Sequence, residues 1–266
     1  MADALEDFSR ATFAHRGLEH EVLRSGEGPP VIVVAEIPGI TPEVAAFARR
    51  VRALGCTVWL PVLFGHPGRE MSVGYAASSF ARACVAREFA AFATGRTAPV
   101  SEWLRALARH ARDTCGGPGV GVVGMCFTGG FALGAMVDDA VIAPVLSQPS
   151  LPLPPFRRRA RGDLQLSPDD LGVVRDRAAD GVCVMGLRFT EDIAVPDERF
   201  AALRRELGDA FVAVEIDSSK GNPWGIGQRA HSVLTSDLVD EPGHPTREAL
   251  DQVLAFLGDR LVGPAS

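Results

Sequence analysis

Residues 120–130 read Val120-Gly121-Val122-Val123-Gly124-Met125-Cys126-Phe127-Thr128-Gly129-Gly130. A run rich in valine ends at a glycine, a nucleophile-type side chain follows, and a segment rich in small residues begins. The apolar run predicts a strand buried on both faces. Phe127 to Val137 predicts a helix. A sharp strand-to-helix turn around an exposed nucleophile has the pattern G-x-nucleophile-x-G. The nucleophile in such a turn takes a strained backbone, so its close neighbours must be small. Gly124 meets that need two residues before Cys126, whereas Thr128 stands where the second glycine belongs and Gly129 follows it. The turn would lift the thiol above the sheet at a helix start, where free N–H groups favour a thiolate.

The rest of the chain repeats this alternation. Thr12–Arg16 and His20–Arg24 are short strand candidates. Val31–Ala35 is a continuous β-branched run and the next buried strand. Thr41, Pro42 and Glu43 then form an N-cap signature for a helix that runs to about Leu54 and stops at Gly55. Thr57–Leu60, Ala140–Leu146, Gly181–Leu187 and Phe211–Ile216 predict further strands. Ser79–Ala93, Val100–Asp113, Asp197–Leu207 and Thr246–Leu261 predict helices. Residues 66–75 and 218–230 read as loops. Residues 147–170, rich in Pro and Arg, read as a long surface excursion, and Arg175–Ala179 is too short to assign. Strands alternating with helices imply a mostly parallel sheet covered on both faces, a three-layer α/β/α sandwich. No internal repeat or second boundary is evident, so residues 1–266 read as one domain.

Composition bounds the function. The chain has 266 residues, is 47% hydrophobic and carries a formal charge of −6. With no long basic run, nucleic acid is not an expected partner. The densest basic stretch, Arg157-Arg158-Arg159 with Arg161, reads as a solvated loop. No apolar leader opens the sequence and no stretch is long enough for a membrane span, so a soluble cytoplasmic protein is expected. The five cysteines, Cys56, Cys84, Cys115, Cys126 and Cys183, are odd in number and widely spaced. That pattern argues against a disulfide framework or a zinc site and for a reducing compartment.

A nucleophile needs a base, and the base needs an acid to orient it. With a nucleophile elbow the chain order is nucleophile, acid, histidine. Asp192, after the Gly181–Leu187 strand, and His231, after the last strand, satisfy that order. Each lies beyond the C-terminal end of a strand, where open α/β sheets build their sites. Glu191 and Asp217 are alternative acids. Asp237 lies after His231, in the wrong order. His244 reads as a loop or cap residue, and His66 and His110 precede Cys126. The backbone N–H of Phe127 and that of Ile37, in the loop after an earlier strand, are the candidate oxyanion donors.

Four segments together resemble the dienelactone hydrolases of the α/β-hydrolase superfamily: Ala35-Glu36-Ile37-Pro38-Gly39, Gly124-Met125-Cys126-Phe127, Glu191-Asp192 with Val195-Pro196, and Ala230-His231-Ser232. The resemblance spans about residues 10 to 260. It implies the α/β-hydrolase fold and a hydrolase of esters or lactones. Cys126 would form an acyl-enzyme, His231 would act as base, Asp192 would orient it, and Glu36 would interact with the thiol. One departure concerns substrate. Better-known members bind a substrate carboxylate through arginines, one of them four residues beyond the catalytic histidine; here that place is Thr235. A second arginine would come from Arg69, Arg82 or Arg87. No metal or organic cofactor is expected, since no dinucleotide turn or ligand cluster is present. The expected partner is a small-molecule ester or lactone. A non-catalytic binding protein on the same fold and an acyltransferase remain the alternatives.

Overall fold

An apolar run with no polar alternation needs cover on both faces of its sheet. The computed structural model describes residues 2–72, 74–79, 97–151 and 161–263. Its strands are β1 (Ser9–His15), β2 (Leu18–Ser25), β3 (Pro30–Val34), β4 (Thr57–Pro61), β5 (Val120–Met125), β6 (Val141–Ser147), β7 (Val184–Phe189) and β8 (Phe211–Ile216). They form one eight-stranded sheet in the order β1-β2-β4-β3-β5-β6-β7-β8. The β1–β2 and β2–β4 pairs are antiparallel. Every pair from β4 through β8 is parallel. All residues of β3, β4, β5 and β7 are buried.

The helices are α1 (Pro42–Ala53), α2 (Pro99–Cys115), α3 (Gly129–Ala135), α4 (Pro168–Ala179), α5 (Asp197–Leu207) and α6 (Pro245–Leu261). Side chains of a strand alternate between faces, and two separate apolar clusters result. Ile32, Val34 and Val122 point into one, with Trp103, Leu107, Phe131 and Phe200 from α2, α3 and α5. Val31, Val33 and Val123 point into the other, with Phe47 and Val51 of α1 and Leu250, Val253 and Leu257 of α6. The three-layer arrangement is therefore present, with helices on both faces of a mostly parallel sheet.

Local signals account for most boundaries. The Thr41 hydroxyl accepts from the Val44 N–H and Pro42 opens α1, so the capping signature acts as expected. α4 corrects the reading of residues 147–170 as an excursion that leaves Arg175–Ala179 unassigned. Ser167 caps it by accepting from the Asp170 N–H, Pro168 opens it, and Asp169 and Asp170 occupy its first turn. The capping signature Ser167-Pro168-Asp169-Asp170 directly follows the Pro- and Arg-rich stretch. α3 is shorter than Phe127–Val137, and a single 3₁₀ turn, Cys126–Thr128, precedes it. Its three glycines, Gly129, Gly130 and Gly134, weaken helical propensity. The expected helix Ser79–Ala93 falls mostly outside the described residues; residues 74–79 are helical.

Ile32, fully buried in β3, sits near the middle of the sheet. Ile32→Ala is expected to lower unfolding free energy by about 2–5 kcal/mol through lost transfer energy and a residual cavity. Urea unfolding followed by circular dichroism measures it, and a loss under about 1 kcal/mol would show that the site collapses around the gap.

Candidate active site

Cys126 sits at the C-terminal end of β5 with φ +57°. A left-handed backbone at a non-glycine residue costs roughly 1–3 kcal/mol and survives only where its surroundings enforce it. Those surroundings are explicit. A Cβ on Gly124 would lie 2.4 Å from the Thr128 carbonyl oxygen, so only glycine fits there. A Cβ on Gly129 would lie 2.7 Å from the Pro149 ring. Thr128 is fully buried. Its hydroxyl accepts from the Met125 N–H at 2.8 Å, and its own proton faces the Val34 and Met125 carbonyls, both at 2.8 Å. The threonine in the second glycine's place thus ties the turn to the ends of β3 and β5.

His231 and Asp192 come from neighbouring loops at the same edge of the sheet. His231 Nδ1 lies 2.6 Å from Asp192 Oδ2. Asp192 is buried, and its other oxygen accepts from the Ala194 N–H at 2.9 Å. That second bond fixes the carboxylate plane. Arg188, buried in β7, donates to the Val195 carbonyl at 2.9 Å and anchors the same loop. Single side-chain atoms of Glu36, Cys126 and His231 all lie within 4.8 Å of one another. Burial opposes the charged imidazole, but the negative charge and hydrogen bond of Cys126, together with the Asp192 carboxylate, outweigh it. The net effect raises the His231 pKa far above the ordinary histidine value.

Glu36 is buried directly after β3. Its carboxylate accepts from Ser232 Oγ at 2.7 Å, from Gln148 Nε2 at 3.2 Å and from the Thr235 hydroxyl. Thr235 therefore faces Glu36 rather than serving as a cation for substrate. Thiolate, imidazole and carboxylate are also zinc-donor types. Here Glu36 and His231 are engaged with hydroxyl, amide and carboxylate partners. Ile37 follows Glu36 and is half-buried; Phe127 follows Cys126 and is buried. Phe127 lies in the turn that follows β5 and Ile37 in the loop that follows β3, and these two strands pair directly.

The rival residues fall elsewhere. Glu191 is exposed beside buried Asp192. Asp217 accepts from the Ser219 N–H in its own loop. His244 caps α6 by accepting from the Thr246 N–H. His110 stacks on Phe13 and His66 on Tyr75. Arg69 lies 4.3 Å over the Tyr75 ring. Arg82, Arg87 and Arg157–Arg159 lie outside the described residues.

Several contributors were missed in the sequence. Asp237, set aside as an acid on chain order, accepts from the backbone N–H groups of His231 and Ser232, each at 2.8 Å, and so holds the histidine loop. Gln148 is fully buried with φ +35°. It bonds Glu36 and accepts from the Val233 N–H at 3.3 Å. Ser150 Oγ lies 3.1 Å from Cys126 Sγ. None carries a motif of its own; the Ser147-Gln148-Pro149-Ser150 stretch read only as the start of a loop.

This geometry and topology are those of the α/β-hydrolase fold, and solved structures share it. A dienelactone hydrolase-like promiscuous phosphotriesterase from metagenomic libraries is 16% identical, with 96% of this chain and 98% of that chain covered at a TM-score of 0.60. The dienelactone hydrolase from Anabaena variabilis is 16% identical, with 96% and 100% covered at 0.56. A cold-adapted esterase from an Arctic intertidal metagenomic library is 12% identical, with 98% and 97% covered at 0.59. No protein-family model and no curated protein sequence matches the chain. Among the described residues, no helix is long and apolar enough to cross a membrane.

Thr128→Val keeps the shape and removes the hydroxyl that serves the Met125 N–H. A buried group left without its partner costs about 1–3 kcal/mol. Chemical denaturation should show a loss of that size, and an unchanged midpoint would mean that the turn is held by packing alone.

Proposed function

We propose that the chain is a carboxylic ester or lactone hydrolase that works through a Cys126 acyl-enzyme. The observation that carries this reading is the convergence of Cys126, His231 and Asp192 from the ends of β5, β8 and β7, with His231 Nδ1 held 2.6 Å from the acid. The likeness of the fold to dienelactone hydrolases and esterases supports it.

Cys126 Sγ attacks the carbonyl carbon of a small neutral or weakly polar ester. The carbonyl π electrons move to oxygen, where the Phe127 and Ile37 amides stabilise the charge. The intermediate collapses, and the His231 imidazolium gives its proton to the leaving oxygen. Acylation removes the charge from Cys126. Burial, the largest single influence on His231, then acts against the charged ring without the opposing charge of Cys126. Neutral imidazole is the base that water needs in the second step. The environment thus switches His231 from acid to base as the thiolate is consumed. Glu36, fixed by Ser232, Thr235 and Gln148, holds a second negative charge near the thiol. That charge disfavours a thiolate without an imidazolium partner and favours the protonated ring while the thiolate is present. The free thiols among the described residues, Cys56, Cys115, Cys126 and Cys183, suit a reducing compartment, and the cytoplasm is our assignment.

A panel of activated short-chain esters and small lactones tests the reading. Cys126→Ala is expected to abolish turnover of every compound that the native enzyme cleaves, and equal rates in both proteins would remove Cys126 from the mechanism. Asp192→Asn should lower kcat at least about 100-fold with the fold intact, because the imidazole loses its orienting acceptor and its charge partner. Steady-state kinetics on the best ester reads this; a change confined to KM would reassign Asp192 to binding.

The acylation burst should persist at alkaline pH, well above the ordinary histidine pKa of about 6.5. The sign follows from the raised His231 pKa: the proton needed by the leaving group stays on the ring as pH rises. Rapid-quench burst amplitudes against pH measure it, and a burst lost near neutrality would exclude the ion pair.

A further inference from the structure

The segment Ser147–Ser150 leaves β6 and reaches both halves of the site. Gln148 bonds Glu36, and Ser150 meets the thiol. Ser150 is 4% exposed. Its N–H donates to the Cys126 carbonyl at 3.1 Å, and its Oγ lies 3.1 Å from Cys126 Sγ. A serine whose backbone and side chain both bond one residue has its hydroxyl aimed by two constraints. Pro149 packs against Gly129, on the far side of the elbow, and limits movement of the turn.

We propose that Ser150 is a further catalytic residue, whose hydroxyl donates a hydrogen bond to the Cys126 thiolate and holds the nucleophile charged before substrate arrives. This rests on Cys126 being the nucleophile. The direction of the bond follows from the neighbours. Three charged or titratable groups surround the thiol among the described residues: His231 and Glu36 from the loops after β8 and β3, and Asp192 behind His231. A thiolate has no proton to give, so in the proposed charged state of Cys126 the serine hydroxyl is the donor across the 3.1 Å contact.

Attack forms the Sγ–C bond, moves the carbonyl electron pair to oxygen and removes charge from Sγ. The Ser150 proton stays on Oγ throughout, and its bond to sulfur weakens as that charge leaves. The bond therefore stabilises the resting thiolate more than the transition state. It raises the thiolate fraction at low pH and lowers the intrinsic nucleophilicity of sulfur, because nucleophilicity falls with thiol pKa. A residue that merely packed beside Cys126 would do neither.

The test is alkylation of Cys126 by iodoacetamide from about pH 4 to about pH 11, read as modification of the Cys126 peptide by mass spectrometry. In Ser150→Ala the midpoint should rise by about one pH unit, the worth of one hydrogen bond to a charged group. The rate on the alkaline plateau should rise roughly threefold. Ser150→Thr, which keeps the hydroxyl, should retain the native midpoint. Ser150→Cys, a weaker donor of similar size, should shift it in the same direction by less, and serves if the alanine variant does not fold. Superimposable profiles for native protein and Ser150→Ala would overturn the proposal. So would equal shifts in the alanine and threonine variants. Alkylation needs no hydrolysis, so a failure of the ester panel leaves this result readable in its own right.

Discussion

Everything at this site depends on one backbone conformation, the positive φ of Cys126 at the end of β5. It places the thiol at the C-terminal edge of the sheet rather than inside it. The conformation is unfavourable alone and is enforced by neighbours that leave no alternative. Gly124 admits the carbonyl of Thr128, and the Thr128 hydroxyl binds the ends of β3 and β5 together. The same strand pairing brings Glu36, at the end of β3, beside the elbow. The Phe127 and Ile37 amides belong to these two strand ends as well.

The electrostatics form a second layer on that frame. Two carboxylates, an imidazole and a thiol share a small, largely buried volume. Their roles are separated by their partners. Asp192 has a backbone N–H on one oxygen and the histidine on the other, so it orients. Glu36 accepts from hydroxyl and amide donors, which fix the position of its carboxylate. His231 is balanced between burial, which favours the neutral ring, and the charge of Cys126, which favours the protonated one.

Much of the fold was legible in local pattern. Unbroken valine-rich runs require helices on both sides, and Thr41-Pro42 marked the first turn of α1. α4 was less legible, because its capping residues Ser167 and Pro168 follow a Pro- and Arg-rich stretch with no helical periodicity. The convergence of Cys126, Asp192 and His231 was legible because chain order and strand ends restrict where an acid and a histidine can meet. The supporting residues were not. Asp237 was judged by its place in the chain order as an acid, whereas its work is to hold two backbone N–H groups. Thr128 read as a flaw in a glycine motif and proves to be a hydrogen-bonding tie.

By itself the sequence determined the alternation of strand and helix, the elbow at Cys126 and the order of the residues that meet there. These follow from periodicity and turn chemistry, which act over a few residues. Tertiary structure decided what surrounds them. Glu36 and Thr235 are 199 positions apart in sequence, and Gln148 and Glu36 are 112 apart. No local pattern encodes such contacts, because they arise only when parallel strands bring their C-terminal ends to one edge.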